Sequence, residues 1–244
     1  MEARLGALAA GVTLVAGLCG GSASHPPAPK AAVVVEAGAA PSPSATAAGR
    51  QPLPQSVFIK VPYTSQAPRA DWPTHEDYCE PAALLMYADF LHGDKRPVIP
   101  PDEADREMTT IIKWERQTFA SAHPDLTLVQ MGETAKHFYG FVPAVFAADL
   151  ESVKGQLAAG KPVIIPVMTH GAPGGQPLSP HYGRQNVYHV ILITGYAGDR
   201  VYTNDAGFMQ GQNQAYRWSV LEAAMDAQQP KMHQGRVMLT LNPA

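Results

Sequence analysis

The nine residues YHVILITGY (188–196) constrain this 244-residue chain more than any other segment. A run this apolar and this rich in β-branched residues reads as a strand and has to be buried. A Gly198-Asp199 turn follows and then RVYTND (200–205), so the two segments read as a hairpin. Upstream, across a long Gly/Pro-rich loop (169–187), KPVIIPV (161–167) reads as a second short buried strand. It is preceded by a helix with Asp149 as its capping residue and Gly160 at its end. RVMLTLN near the C-terminus reads as a last strand, after a helix near Val220 to Asp226.

Helical signals dominate the part before these strands. VFIKVPY (57–63) alternates and predicts a strand, and TSQAPRADWPTHEDY is a polar loop leading to Cys79. EPAALLMYADFL (80–91) reads as a helix, with Pro81 in the first turn, where its missing N–H costs nothing, and His92-Gly93 at its end. Its Met and aromatic residues are expected to face the sheet. A second helix is expected from Asp102, as N-cap, to about Phe119, with Met108, Ile111, Ile112 and Phe119 inward. A short one is expected around Glu133 to Tyr139. Helices first and antiparallel strands later is the α+β order.

The first 54 residues have no such periodicity. Arg4 precedes an uncharged stretch, Leu5 to Ser24, ending in small residues, which reads as a signal peptide (1–24) or, if uncleaved, a membrane anchor. Leu18 before Cys19 argues against a lipidation site. Residues 25–54 have the Ala, Pro, Ser and Gly composition of a linker, unable to bury enough surface to offset its ordering entropy. The globular domain is therefore placed at 55–244. Export to the periplasm, cell envelope or medium follows as an expectation, with envelope association possible through the N-terminal segment. The net charge of −3 offers no basic surface for nucleic acid.

The chain has two cysteines, Cys19 and Cys79. With Cys19 in the export segment, no disulfide is expected in the mature protein, and a lone thiol in an oxidising compartment must be buried or used. Cys79 stands at the N-terminus of the 80–91 helix, where the dipole and free N–H groups favour thiolate, the nucleophilic form. His189 opens the apolar strand and Asp205 closes its hairpin partner. If register puts them on one face, Asp205 can accept the imidazole N–H. Asn204 is the alternative partner. Gln66, upstream in the loop, could donate to an oxyanion beside the Cys79 N–H. His170, His181 and His189 match no metal-ligand spacing, so neither a metal nor a cofactor is expected. Loop 169–187 and the Asp71-Trp72 pair are expected to rim a cleft.

The segments VPYTSQAPRADW, CEPAALLMY, LAAGKPVIIPV, YHVILITGY and YTNDAG resemble, in order, the peptidase C-thirty-nine-like domain. That family is papain-like and related to bacteriocin-processing peptidases that cut after double glycine. The resemblance covers about residues 55–230. It implies a papain-like fold with N-terminal helices packed on an antiparallel sheet. It also implies a Cys79 nucleophile, a His189 base, an Asp205 orienting acid and a Gln66 oxyanion donor, with a peptide or protein as substrate. Where the family has Asn-Asp-Pro-Gly this chain has Asn204-Asp205-Ala206-Gly207, and Glu80-Pro81 follows the cysteine. No ABC-transporter segment is read in this chain. Two further readings share the fold: amide hydrolysis or acyl transfer by the same acyl-enzyme chemistry, and a catalytically silent binding module.

Overall fold

The computed structural model describes residues 52–244; the expected signal segment and nearly all of the expected linker lie outside the described residues. A seven-stranded antiparallel sheet forms the centre: β1 (Ser56–Phe58), β2 (Val142–Ala147), β3 (Val163–Met168), β4 (Tyr188–Ala197), β5 (Arg200–Asn204), β6 (Gln214–Arg217) and β7 (Val237–Asn242). Strand order is β2-β7-β3-β4-β5-β6, with β1 paired to β4. Among the described residues five α-helices cover it: α1 (Cys79–Leu91), α2 (Pro101–Thr118), α3 (Leu128–Tyr139), α4 (Leu150–Ala158) and α5 (Trp218–Met232). Among the described residues, no helix is long and apolar enough to cross a membrane.

The 188–196 run is apolar throughout because both its faces are covered. Tyr188, Val190 and Leu192 join one core with α1, α2 and α3. Ile191 and Ile193 join a second core with α4 and α5. A register shift between Ile193 and Gly195 reverses the alternation, so Tyr196 lies with Ile191 and Ile193. Gly195 is needed there, since a Cβ would stand 2.5 Å from the Val57 carbonyl oxygen of β1. Helix α1 is buried from Cys79 to Ala88, as an all-round apolar helix must be. Asp149 caps α4 by accepting from Ser152 N–H at 2.9 Å.

Several local expectations need correction. The strand expected over 57–63 pairs only over Ser56–Phe58; beyond it Tyr63 bridges to Val98 and its O–H reaches the 205–211 turn. Asp102 does not cap α2: Pro100 holds that position, and Asp102 lies inside the first turn, paired with Arg69 at 2.8 Å. Helices α3 and α5 are longer than expected, α3 because Thr127 and Gln130 form a capping box upstream. Strands β2 and β6 have no counterpart in the sequence reading. Strand β2 contains Pro143 and leaves Val142, Val145 and Phe146 exposed on an edge, so its pattern carries no buried face to detect.

Candidate active site

Register decides which side chain of the 204–205 pair meets His189. Leu192 pairs with Asn204, so Asp205, the next residue, falls on the side of Ile191 and His189. His189 Nε2 and Asp205 Oδ1 are 2.8 Å apart, and the two residues are 3% and 0% exposed. Asn204 turns the other way: its amide donates to the Val61 and Pro62 carbonyls, and its oxygen accepts from Asn213 N–H. It is not the imidazole's partner.

Asp205 is buried yet held as a carboxylate. Oδ1 also accepts from Tyr182 O–H (2.7 Å) and Gly207 N–H (3.0 Å), and Oδ2 from Tyr216 O–H (3.2 Å). Burial would raise its pKa, but the His189 charge and these hydrogen bonds more than offset it and hold the group below the usual carboxylate value. An ionised Asp205 takes the hydrogen on Nε2, which leaves Nδ1 of a neutral His189 with its lone pair.

The 205–211 turn is fixed from the other side. Asp205 N–H donates to Gly211 O, and Gly211 N–H donates to the Tyr63 hydroxyl. The Tyr63 hydroxyl in turn donates toward the Asp205 and Phe208 carbonyls.

Cys79 is the first residue of α1 and is buried, 4% exposed. Its Sγ–H donates to Glu80 Oε2 at 2.8 Å, and the Val190 N–H, one residue beyond His189, lies on the side of the sulfur and favours the thiolate. The thiol is pushed up rather than down: burial first, then the charge of Glu80 and its hydrogen bond, outweigh Val190. The pull of the helix start toward thiolate is therefore outweighed at this position. A helix terminus is worth about 0.3–1 kcal/mol at an exposed site, less than burying an ion beside a carboxylate costs.

Gln66 is buried and belongs to the segment that precedes Cys79, but its amide is occupied. Nε2 donates to the His75 and Glu76 carbonyls at 2.9 and 3.1 Å. His75 is itself anchored, Nε2 to Asp105 Oδ1 at 2.8 Å and Nδ1 beside Asp71 and Thr74. Asp71, His75 and Asp105 could together offer ligand atoms to a cation, but Arg69 already pairs with Asp105 at 3.4 Å. Their observable role is to hold the carbonyls that hold Gln66. The three histidines weighed for a metal lie apart in role: His170 bonds Gly183 O, His181 stacks on Phe208, and His189 meets Asp205.

Loop 169–187 supplies Tyr182, whose ring stands edge-on to His189 at 5.7 Å between centroids. Its hydroxyl donates to Asp205 at 2.7 Å, so this loop closes over the His189–Asp205 pair. Trp72, the other expected rim residue, is half-buried in a 3-10 turn over Trp72–Thr74. Tyr182, Tyr216 and Glu80 were not singled out from sequence. Glu80 had a signal, as an acid beside the cysteine within an apolar helix; the tyrosines had none, because long-range folding brings them in.

These features define an α+β hydrolase-like fold with a cysteine at a helix start and a buried His–Asp pair on the adjoining hairpin. The Peptidase_C39 like family matches residues 58–229, and the chain belongs to that family. Its structure is similar to the crystal structure of a Bacillus anthracis protein assigned as a C39-like peptidase, with TM-score 0.52 and 15% identity. That likeness covers 78% of this chain and 98% of the other. No curated protein matches.

Proposed function

We propose that this protein is an exported cysteine peptidase that uses Cys79 as nucleophile, His189 as base and Asp205 as the residue orienting it. The observation that carries the reading is the buried 2.8 Å His189–Asp205 pair, set one residue before the Val190 N–H that faces the Cys79 sulfur. The thiol leaves Glu80 and passes its proton to His189 Nδ1, and the thiolate attacks a substrate carbonyl. The Cys79 N–H, free at the helix start, stabilises the oxyanion, joined by one Gln66 N–H once released from its carbonyl. His189 then protonates the leaving amine, and water cleaves the thioester. Export rests on the Arg4-led uncharged stretch before residue 25.

Cys79→Ala is expected to fold normally and to lose all turnover of a peptide library; unaltered turnover would end the reading. Gln66→Ala is expected to lose about 100-fold in kcat if its amide serves the oxyanion. The occupied Gln66 amide and the Glu80-bound thiol favour one second reading, a silent binding module. No turnover of any library peptide by the wild-type chain would select it.

A further inference from the structure

Glu80 is 1% exposed, and both its oxygens are engaged: Oε2 accepts the Cys79 thiol hydrogen and Oε1 accepts Leu126 N–H at 3.0 Å. Behind it on α2 lies Glu115, 0% exposed, with both oxygens buried and unpartnered. The neighbouring Thr134 hydroxyl spends its hydrogen on Gln130 O. The other ionisable groups acting on this spot are Asp125 in the loop before α3 and Tyr188 on β4. Lys231 of α5 is already paired with Asp125, and Tyr188 donates to Leu126 O. Among the described residues no cation pairs with Glu80. A carboxylate in this position has two partners, the thiol and the Leu126 N–H, and no cation among the described residues to balance its charge.

We propose that Glu80 is a positioning residue that holds Cys79 as a resting thiol, and that protonation of its carboxyl releases the nucleophile. While Glu80 is ionised it accepts the S–H hydrogen, and its charge opposes a second negative charge on the adjoining sulfur. When Oε2 takes a proton from solvent, that acceptor is lost. The thiol proton then moves to His189 Nδ1, and the neutral carboxyl can donate its O–H to the thiolate. The site gains one proton overall, on Glu80, and the other is only transferred. Burial raises Glu80 to about 7, so the change falls within an ordinary working range of pH.

The inference rests on Cys79 being the proposed nucleophile, but its test needs no turnover. Alkylation of the full chain by iodoacetamide is followed at Cys79, resolved from Cys19 by peptide mass, from pH 5.5 to 8.5. A free cysteine reacts faster as pH rises through this range. The wild-type protein is expected to react about threefold or more slowly at pH 8 than at pH 6. Glu80→Gln, which keeps the acceptor for Leu126 N–H, is expected to abolish that fall and to react at least about tenfold faster than wild type at pH 8. A wild-type rate that climbs steadily with pH overturns the proposal, as does a fall that persists in Glu80→Gln. The wild-type profile decides the matter even if the variant does not fold. Peptide turnover by the wild-type chain, measured separately, tells failure of this inference from failure of the peptidase reading.

Discussion

His189 Nε2 and Asp205 Oδ1 stand 2.8 Å apart across a hairpin, sixteen residues apart in sequence and both shut off from solvent. The bond fixes which imidazole nitrogen is left to act as a base, so what replaces Asp205 should matter as much as whether it is replaced. Asp205→Ala is expected to lower kcat/KM by about 100-fold or more, since nothing then sets the tautomer. Asp205→Asn is expected to lose less, because an amide oxygen still accepts the imidazole N–H. Equal losses on a peptide substrate would show that the carboxylate's charge, rather than its acceptor oxygen, is what matters.

Tyr182 helps to keep Asp205 ionised. Its O–H is one of the hydrogen bonds that hold the carboxyl below its ordinary value. A carboxyl depressed in the fold contributes stability above its unfolded value and loses it as pH falls through the folded one. Tyr182→Phe raises the folded value and narrows that window from below. Its acid denaturation midpoint should lie at higher pH than wild type, with about 1.5–3 kcal/mol less stability at neutral pH. Acid titrations followed by circular dichroism check both.

Gly211 closes the turn that carries Asp205. A Cβ there would stand 1.7 Å from the Asp205 carbonyl oxygen and 2.8 Å from the Tyr63 hydroxyl. Gly211→Ala is expected to cost about 3 kcal/mol or more, read as a lower Tm, because backbone has to move. Gly198→Ala has no neighbour within 4 Å of the added Cβ, so it tests backbone conformation alone, at φ +61, and is expected to cost less.

The buried Glu115 sets a pH dependence of stability. Burial first, and the charge of Glu80 second, raise it from 4.5 to about 8. A carboxyl raised in the fold contributes stability that is fully present below its unfolded value and lost as pH rises toward the folded one. Wild-type stability should therefore fall between about pH 4.5 and 8, by on the order of a few kcal/mol. Glu115→Gln should flatten that slope. Urea melts at pH 5 and pH 8 are the measurement, and identical slopes in both proteins would count against a buried, uncompensated acid.

The sequence alone determined the α+β class, the apolar hairpin 188–205 and the cysteine at a helix start, all properties of local periodicity and turn chemistry. It left the choice between Asn204 and Asp205 open, because one step of strand register exchanges the two faces. Only the tertiary structure decided that, through the pairing of Leu192 with Asn204. The edge strand β2 stayed hidden because its exposed residues and Pro143 carry no alternation. The state of Cys79 was likewise invisible. The helix start argued for thiolate, but burial and the Glu80 carboxyl beside the sulfur, which push the thiol the other way, are set by packing of α1 against its neighbours. Together these outweigh what the helix terminus offers.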